Sequence, residues 1–182
     1  MTIRKATLKD TPEMGKVMVN TWLRAHQDQV APEAFLKRQQ TWTPEVSAKS
    51  WARAIEDISA EPTAKDCLFV AENEEGVIIG LTMAGPSGLA AYKGWGEVYV
   101  LYVDFAYQGQ GQGRQLLKAA GQHLLQANMS QLIIRALATN TSARHFYEAQ
   151  GGHLVGEVET EDEGIPQIEV IYSWPDITVL TR

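Results

Sequence analysis

Residues Tyr99–Leu117 read YVLYVDFAYQGQGQGRQLL. The first part is almost continuously apolar, β-branched or aromatic, which predicts a central strand buried on both faces. Gly109, Gly111 and Gly113 then alternate with glutamines, and a helical pattern follows at once through Leu116, Leu117, Ala120, Leu124 and Ala127. Glycine loses more backbone freedom on folding than any other residue. Three in five residues imply that something must approach this backbone closely. A strand, a glycine turn and a helix start form an anion-binding device. The first N–H groups of the helix have no partner within it, they sit at the positive end of its dipole, and glycines let them close on phosphate oxygens. Arg114, just inside the helix, can add a charge-assisted contact. The pattern is not GxxxxGK-Ser/Thr, and its G-x-G-x-G spacing late in the chain is not the dinucleotide fingerprint.

Working outward, TIRKAT predicts a first strand. A helix follows, capped by Asp10 or Thr11 with Pro12 in its first turn. Pro32 and Pro44 bracket a second helical region, and Val46, Trp51, Ala54, Ile55 and Ile58 continue a helical stripe beyond Pro44. CLFVAENEEGVIIGLTMAGP predicts a hairpin turning at NEEG. QLIIRAL is a second central strand. NTSARHFYEAQGG is a short helix capped by Asn140 or Thr141 and ended by Gly151. The last hairpin is HLVGEVETEDEGIPQIEVIYSW. The order is read as β-α-α-β-β-β-α-β-α-β-β. It describes an α/β (α+β) chain, one domain over residues 1–182, around a mixed sheet.

Composition excludes several classes. The 182 residues are 45% hydrophobic with a formal net charge of -6, which fits a globular chain and not the basic face of a nucleic-acid binder. The single cysteine, Cys67, excludes an internal disulfide framework and reads as a small buried apolar residue. No apolar run approaches the ~20 residues that span a bilayer, and the start lacks a signal-peptide pattern. A cytoplasmic protein is expected, with no membrane or nucleic-acid partner. His26, His123, His145 and His153 show no metal-ligand spacing, so no metal is expected.

The loop matches Q/R-x-x-G-x-G/A as Gln108-Gly109-Gln110-Gly111-Gln112-Gly113. In this it resembles the acyl-CoA pyrophosphate loop of the GNAT superfamily of N-acyltransferases. NTSARHFYEAQGG resembles that family's later N-x-x-A-x-x-x-Y helix through Asn140, Ala143 and Tyr147, and NTW at residues 20–22 resembles a first-helix pattern. The likeness covers essentially the whole chain. Two positions depart from it. Phe105 stands where many members have proline, and Gly152 stands where many have phenylalanine, which implies altered packing beside the last hairpin.

The resemblance implies acetyl transfer from acetyl-CoA, as co-substrate, to a primary amine of a small molecule or a protein, by direct attack in a ternary complex. It implies that strand 97–104 splays from strand 131–137 and that pantetheine pairs with backbone near Leu101 and Val103. A backbone N–H near Tyr102 or Val103 would hold the oxyanion. Tyr147 would protonate the leaving thiolate, and Asn140 would bind the pantetheine arm. A lysine-like amine has a pKa of about 10.4 and must lose a proton before attack. Glu97, opening the central strand, is the candidate base, acting through water. Trp22, Trp42 and Trp51 read as core residues that could also wall a substrate pocket. The acidic run EVETEDEG, residues 157–164, is either a solvated tip or an attractor for a polycationic acceptor. A homodimer is compatible with the family. Two other readings stay open: a non-catalytic acyl-CoA-binding regulatory module of the same fold, and a nucleotide-binding protein.

Overall fold

The computed structural model describes residues 1–182 apart from Pro62, Ala64 and Glu163. In chain order the elements are β1 (Thr2–Lys5), α1 (Thr11–His26), α2 (Pro32–Thr41), α3 (Pro44–Ala60), β2 (Cys67–Glu72), β3 (Ile78–Pro86), β4 (Gly96–Val103), α4 (Gln112–Gln126), β5 (Leu132–Leu137), α5 (Thr141–Ala149), β6 (His153–Asp162) and β7 (Ile165–Trp174). Three helices, not two, separate β1 from β2. Pro32 and Pro44 each open a helix of their own, because the missing proline N–H would lack a helical partner there anyway. Thr43 caps the second of these by accepting the Val46 N–H at 3.3 Å. Asp10, expected as a cap of α1, does something else. Its carboxylate accepts from the Arg4 guanidinium at 2.7 and 2.8 Å and from the Thr7 N–H at 2.8 Å. The Arg4 contact, foremost, draws its pKa down to about 2.

The strands form one sheet in the order β1-β2-β3-β4-β5-β7-β6, antiparallel throughout except where β4 runs beside β5. Both faces of its middle are covered. On one face Leu68, Val70, Ile78 and Leu81 pack with Met14 and Val17 of α1 and Trp51 of α3. On the other, Val98, Leu132, Ile134 and Tyr172 pack with Leu117, Ala120 and Leu124 of α4 and with Tyr147 of α5. This double cover explains why these strands read as unbroken apolar runs and not as alternating ones. Each fully buried leucine contributes roughly 1.5–3 kcal/mol relative to exposure. Cys67 is 2% exposed, and burial pushes its thiol up to about 12, so it is packing and not a nucleophile. No helix among the described residues is long and apolar enough to cross a membrane.

β4 and β5 stay together for three pairs only: Gly96 with Leu132, Glu97 with Ile133 and Val98 with Ile134. Beyond that β4 follows β3 as far as Val103 opposite Gly80, while β5 follows β7 as far as Leu137 opposite Glu169. A register shift between Met83 and Ala84 leaves Tyr99 as an extra residue on β4 at the parting point. Such a bulge bends and twists its strand. The expected splay is therefore present.

Candidate active site

The glycine loop divides its labour. Gly109 and Gly111 have φ of +73° and +90°, in a conformation that a Cβ strains, and a Cβ on either would meet nothing within 4 Å. The loop is thus bent by positive φ around open space at the start of α4. Gly113 is different. A Cβ there would stand 3.3 Å from the Phe146 ring of α5. Its smallness seats the helix that carries Tyr147 against the start of α4, which the sequence reading did not foresee. Gln108 and Gln110 fold back onto their own loop, donating to the Val103 carbonyl at 2.8 Å and the Ala106 carbonyl at 3.0 Å. Gln112 is buried, and its Oε1 has no hydrogen-bond partner among the described residues. Arg114 is exposed and makes no ion pair among the described residues.

The parting of β4 from β5 opens a cleft of about 270 Å³. Leu101 and Tyr102 of β4, Asn140 and Tyr147 are among the residues that line it. The ladder tells which backbone groups face it. The Asp104 N–H is committed to the Ile79 carbonyl of β3 at 2.8 Å. Antiparallel strands alternate sides residue by residue, so Tyr102 also turns to β3, while Leu101 and Val103 turn to the gap. Tyr102 is therefore a side-chain wall, and the backbone groups that face the cleft are those of Leu101 and Val103. Asn140 caps α5, its Oδ1 accepting the Ala143 N–H at 3.1 Å. That leaves its amide N–H₂ uncommitted among the described residues.

Tyr147 is 7% exposed and makes edge contacts with Phe146 and Trp174. Burial raises its pKa, so the phenol is held protonated. Its hydroxyl makes no hydrogen bond among the described residues. The departure at Gly152 now has a cause. A Cβ there would meet the Trp174 ring at 2.6 Å, so the indole of β7 fills the space a larger side chain would take, and its Nε1–H donates to the Gln150 carbonyl at 3.0 Å.

Glu97 differs from its expected role. It is 2% exposed and does not line the cleft. One carboxylate oxygen accepts from Arg135 Nε at 2.9 Å and the other from the Ser87 hydroxyl at 2.8 Å. Arg135 in turn donates to Glu169 at 2.9 Å. Arg135 and Glu169 do line the cleft. Glu97 is thus the buried support of an arginine standing one residue past the last β4–β5 pair. A charged residue inside the apolar run QLIIRAL was the sequence signal for this.

The opposite wall comes from α1 and α2. Trp22 stacks on His26 at 4.8 Å and meets Trp42 edge-on at 5.7 Å, with Arg38 over both indoles. Trp22 and His26 line the cleft, whereas Trp51 is core. His26 is 5% exposed. Its Nδ1 lies 2.9 Å from the Trp22 carbonyl. A carbonyl only accepts, so Nδ1 carries the proton. Burial, foremost, lowers the His26 pKa, so the ring is neutral and Nε2 keeps its lone pair. The i, i+4 placement of Trp22 and His26 at the helix end was visible in the sequence. Its burial and tautomer were not. Asp162 of β6 pairs with Arg38. In the acidic run, Glu157, Glu159 and Glu161 are exposed, while Asp162 is partly buried and lines the cleft. Glu163 lies outside the described residues. Among the described residues no cluster of three or more His, Cys, Asp or Glu is placed to hold a metal ion.

Comparison with known proteins fits this geometry. The acetyltransferase (GNAT) domain family matches residues 64–151. An uncharacterized N-acetyltransferase, YuaI of Bacillus subtilis, is 29% identical over 180 residues, covering 99% of this chain and 96% of that protein. The mycothiol acetyltransferase of Saccharomonospora viridis is 34% identical over 130 residues, 69% of this chain but 42% of that longer protein. Among solved structures, the PaiA N-acetyltransferase of Thermoplasma acidophilum in complex with coenzyme A superposes with a TM-score of 0.72 at 14% identity, covering 95% of this chain and 98% of that one.

Proposed function

The chain belongs to the GNAT acetyltransferase family, and we propose that residues 1–182 work as one unit that acetylates a primary amine of a small molecule or a protein. It is an acetyl-CoA-dependent N-acetyltransferase, so the regulatory-module and nucleotide-binding readings are not favoured. The observation that carries the residue assignments is the parting of β4 from β5 after Val98 and Ile134, with Tyr147 in the wall of the opening. The residues present suit acetyl-CoA. The bend at Gly109 and Gly111 leaves the first α4 N–H groups open to a pyrophosphate, with exposed Arg114 beside them. The gap-facing backbone of Leu101 suits the pantetheine amides, the Val103 carbonyl being taken by Gln108, and the amide N–H₂ of Asn140 suits a pantetheine carbonyl.

In this reading the Val103 N–H holds the oxyanion that forms when the amine nitrogen attacks the thioester carbonyl. As the C–S bond breaks, the protonated Tyr147 hydroxyl donates to the departing thiolate. His26 takes the proton that the amine must lose, because it lines the cleft with its Nδ1 side committed to the Trp22 carbonyl, and Glu97 is engaged elsewhere. Arg135, held by Glu97 and Glu169, keeps the cleft open at its vertex. A cytoplasmic setting belongs to the same proposal, since one buried thiol suits a reducing compartment.

Thermal unfolding with acetyl-CoA, CoA, ATP or NAD, each alone, tests the donor assignment. A ligand at a hundred times its dissociation constant stabilises by about 2.7 kcal/mol, a shift of several degrees for a chain of this size. Acetyl-CoA and CoA should raise the midpoint and the others should not. A response to ATP or NAD alone would overturn the assignment.

A further inference from the structure

A second cavity, of about 290 Å³, adjoins the cleft. It lies between the α1–α2 connection and the ends of β5 and β7, and it is lined by Val30, Ala31, Ala34, Ile165, Pro166 and Ile168 among others. Leu137, Asp162 and Gln167 line both spaces, so the two are neighbours across these three residues. A hydrogen bond from the Thr139 hydroxyl to the Gln29 carbonyl at 3.1 Å ties the β5–α5 turn to the α1–α2 connection at this cavity. Among the described residues lining it Asp162 is the one that is charged, and Asp162 is already paired with Arg38. Ile168 is left 47% exposed at its edge. Asp162 stands where the two spaces meet and Glu169 on the cleft alone, and the apolar surface stands beyond them.

We propose that the acceptor is a primary amine carried on an apolar stem, with the stem in this cavity and the nitrogen in the cleft. The inference rests on the acetyltransferase reading above. On the cleft Asp162 and Glu169 are balanced by Arg38 and Arg135, so polar partners for the nitrogen are confined to the cleft, and the apolar walls beyond reject a tail that carries further charge. A charged tail would leave its solvation shell with no partner to replace it. The three outer glutamates, Glu157, Glu159 and Glu161, point away from this route on the exposed side of β6. The polycationic acceptor suggested by the acidic run is therefore disfavoured.

The test measures CoA thiol release with n-alkylamines from propylamine to octylamine at saturating acetyl-CoA, with spermidine and lysine as charged-tail controls. Burial of each added methylene should raise kcat/KM about fourfold until the chain fills the cavity, and then the response should flatten. Ala31→Trp, at an exposed position on the cavity wall, should collapse that slope to less than twofold per methylene. A flat wild-type series, or spermidine or lysine outperforming the longer alkylamines, would overturn the inference. So would a slope that Ala31→Trp leaves intact. If no alkylamine reacts while acetyl-CoA still raises the melting midpoint, the stem proposal falls and the acetyl-CoA reading stands. If acetyl-CoA shifts nothing, the earlier reading has failed first.

Discussion

The two walls of the cleft are built on different physics. The β4, loop, α4 and α5 wall is held by apolar packing: Leu117, Ala120, Leu124 and Tyr147 are all within one buried cluster, and Gly113 is pressed against Phe146. The α1, α2 and β6 wall is held by side-chain hydrogen bonds, ion pairs and ring contacts: Arg38 with Asp162, Thr139 with Gln29, Trp22 on His26. Packed cores have little room to vary, since a single methylene is felt. Polar ties near the surface can be exchanged with small change in stability. A wall that must fit one invariant co-substrate can be of the first kind. A wall that meets a particular acceptor can be of the second.

The sharpest way to break this contrast is Tyr147→Phe. Turnover should fall about a thousandfold, within the span of general acid catalysis, while acetyl-CoA still raises the melting midpoint. Retained turnover would remove the acid from the donor wall. Glu97→Ala comes next. Removing one partner of a buried ion pair costs on the order of 3 kcal/mol, read as a lower denaturation midpoint. A variant as stable as the parent but inactive would restore Glu97 as the base.

His26→Asn probes the other wall. The asparagine N–H₂ can keep the bond to the Trp22 carbonyl while Nε2 is lost, and kcat/KM should fall about a hundredfold. The sign of the pH dependence follows from burial. A lowered folded pKa keeps the imidazole neutral down to pH values below its ordinary 6.5. The parent should therefore hold full kcat/KM at and above that pH and lose it below. The variant should lack that acid limb, and a limb unchanged by the substitution would exclude His26. The smallest effect separates two glycines. Gly111→Ala should lose about 1–2 kcal/mol, because φ is +90° there. Gly156→Ala, on β6 with open space around its Cβ, should be neutral or gain up to about 1 kcal/mol. Equal losses at both would show that the loop conformation is not what demands glycine.

Legibility in the sequence followed the same divide. The strand, loop and helix at 97–126, the short helix with Tyr147 and the final hairpin could be read directly, because each is marked by local periodicity or a turn residue. The count of early helices was harder. Pro32 and Pro44 both marked starts, but only α1 and α3 form a strong apolar contact, and α2 has a single buried residue, Ala34. The contacts of Asp10 and Glu97 could not be read from the sequence for one reason. Each is a carboxylate whose partner, Arg4 or Arg135, comes from a different strand or segment, and no local pattern reports such pairing.

By itself the sequence determined the mixed α/β fold, the bend at Gly109 and Gly111, and the presence of a tyrosine on the helix after β5. These depend on backbone conformation and on periodic burial, which are local properties. The tertiary structure alone decided which carboxylate is buried against an arginine, which histidine is buried on the cleft wall, and which apolar residues leave a cavity beside the cleft. Those are properties of charge and space between segments far apart in the chain. Their energies exist only once the sheet has brought β4, β5, β7 and the end of α1 around one gap.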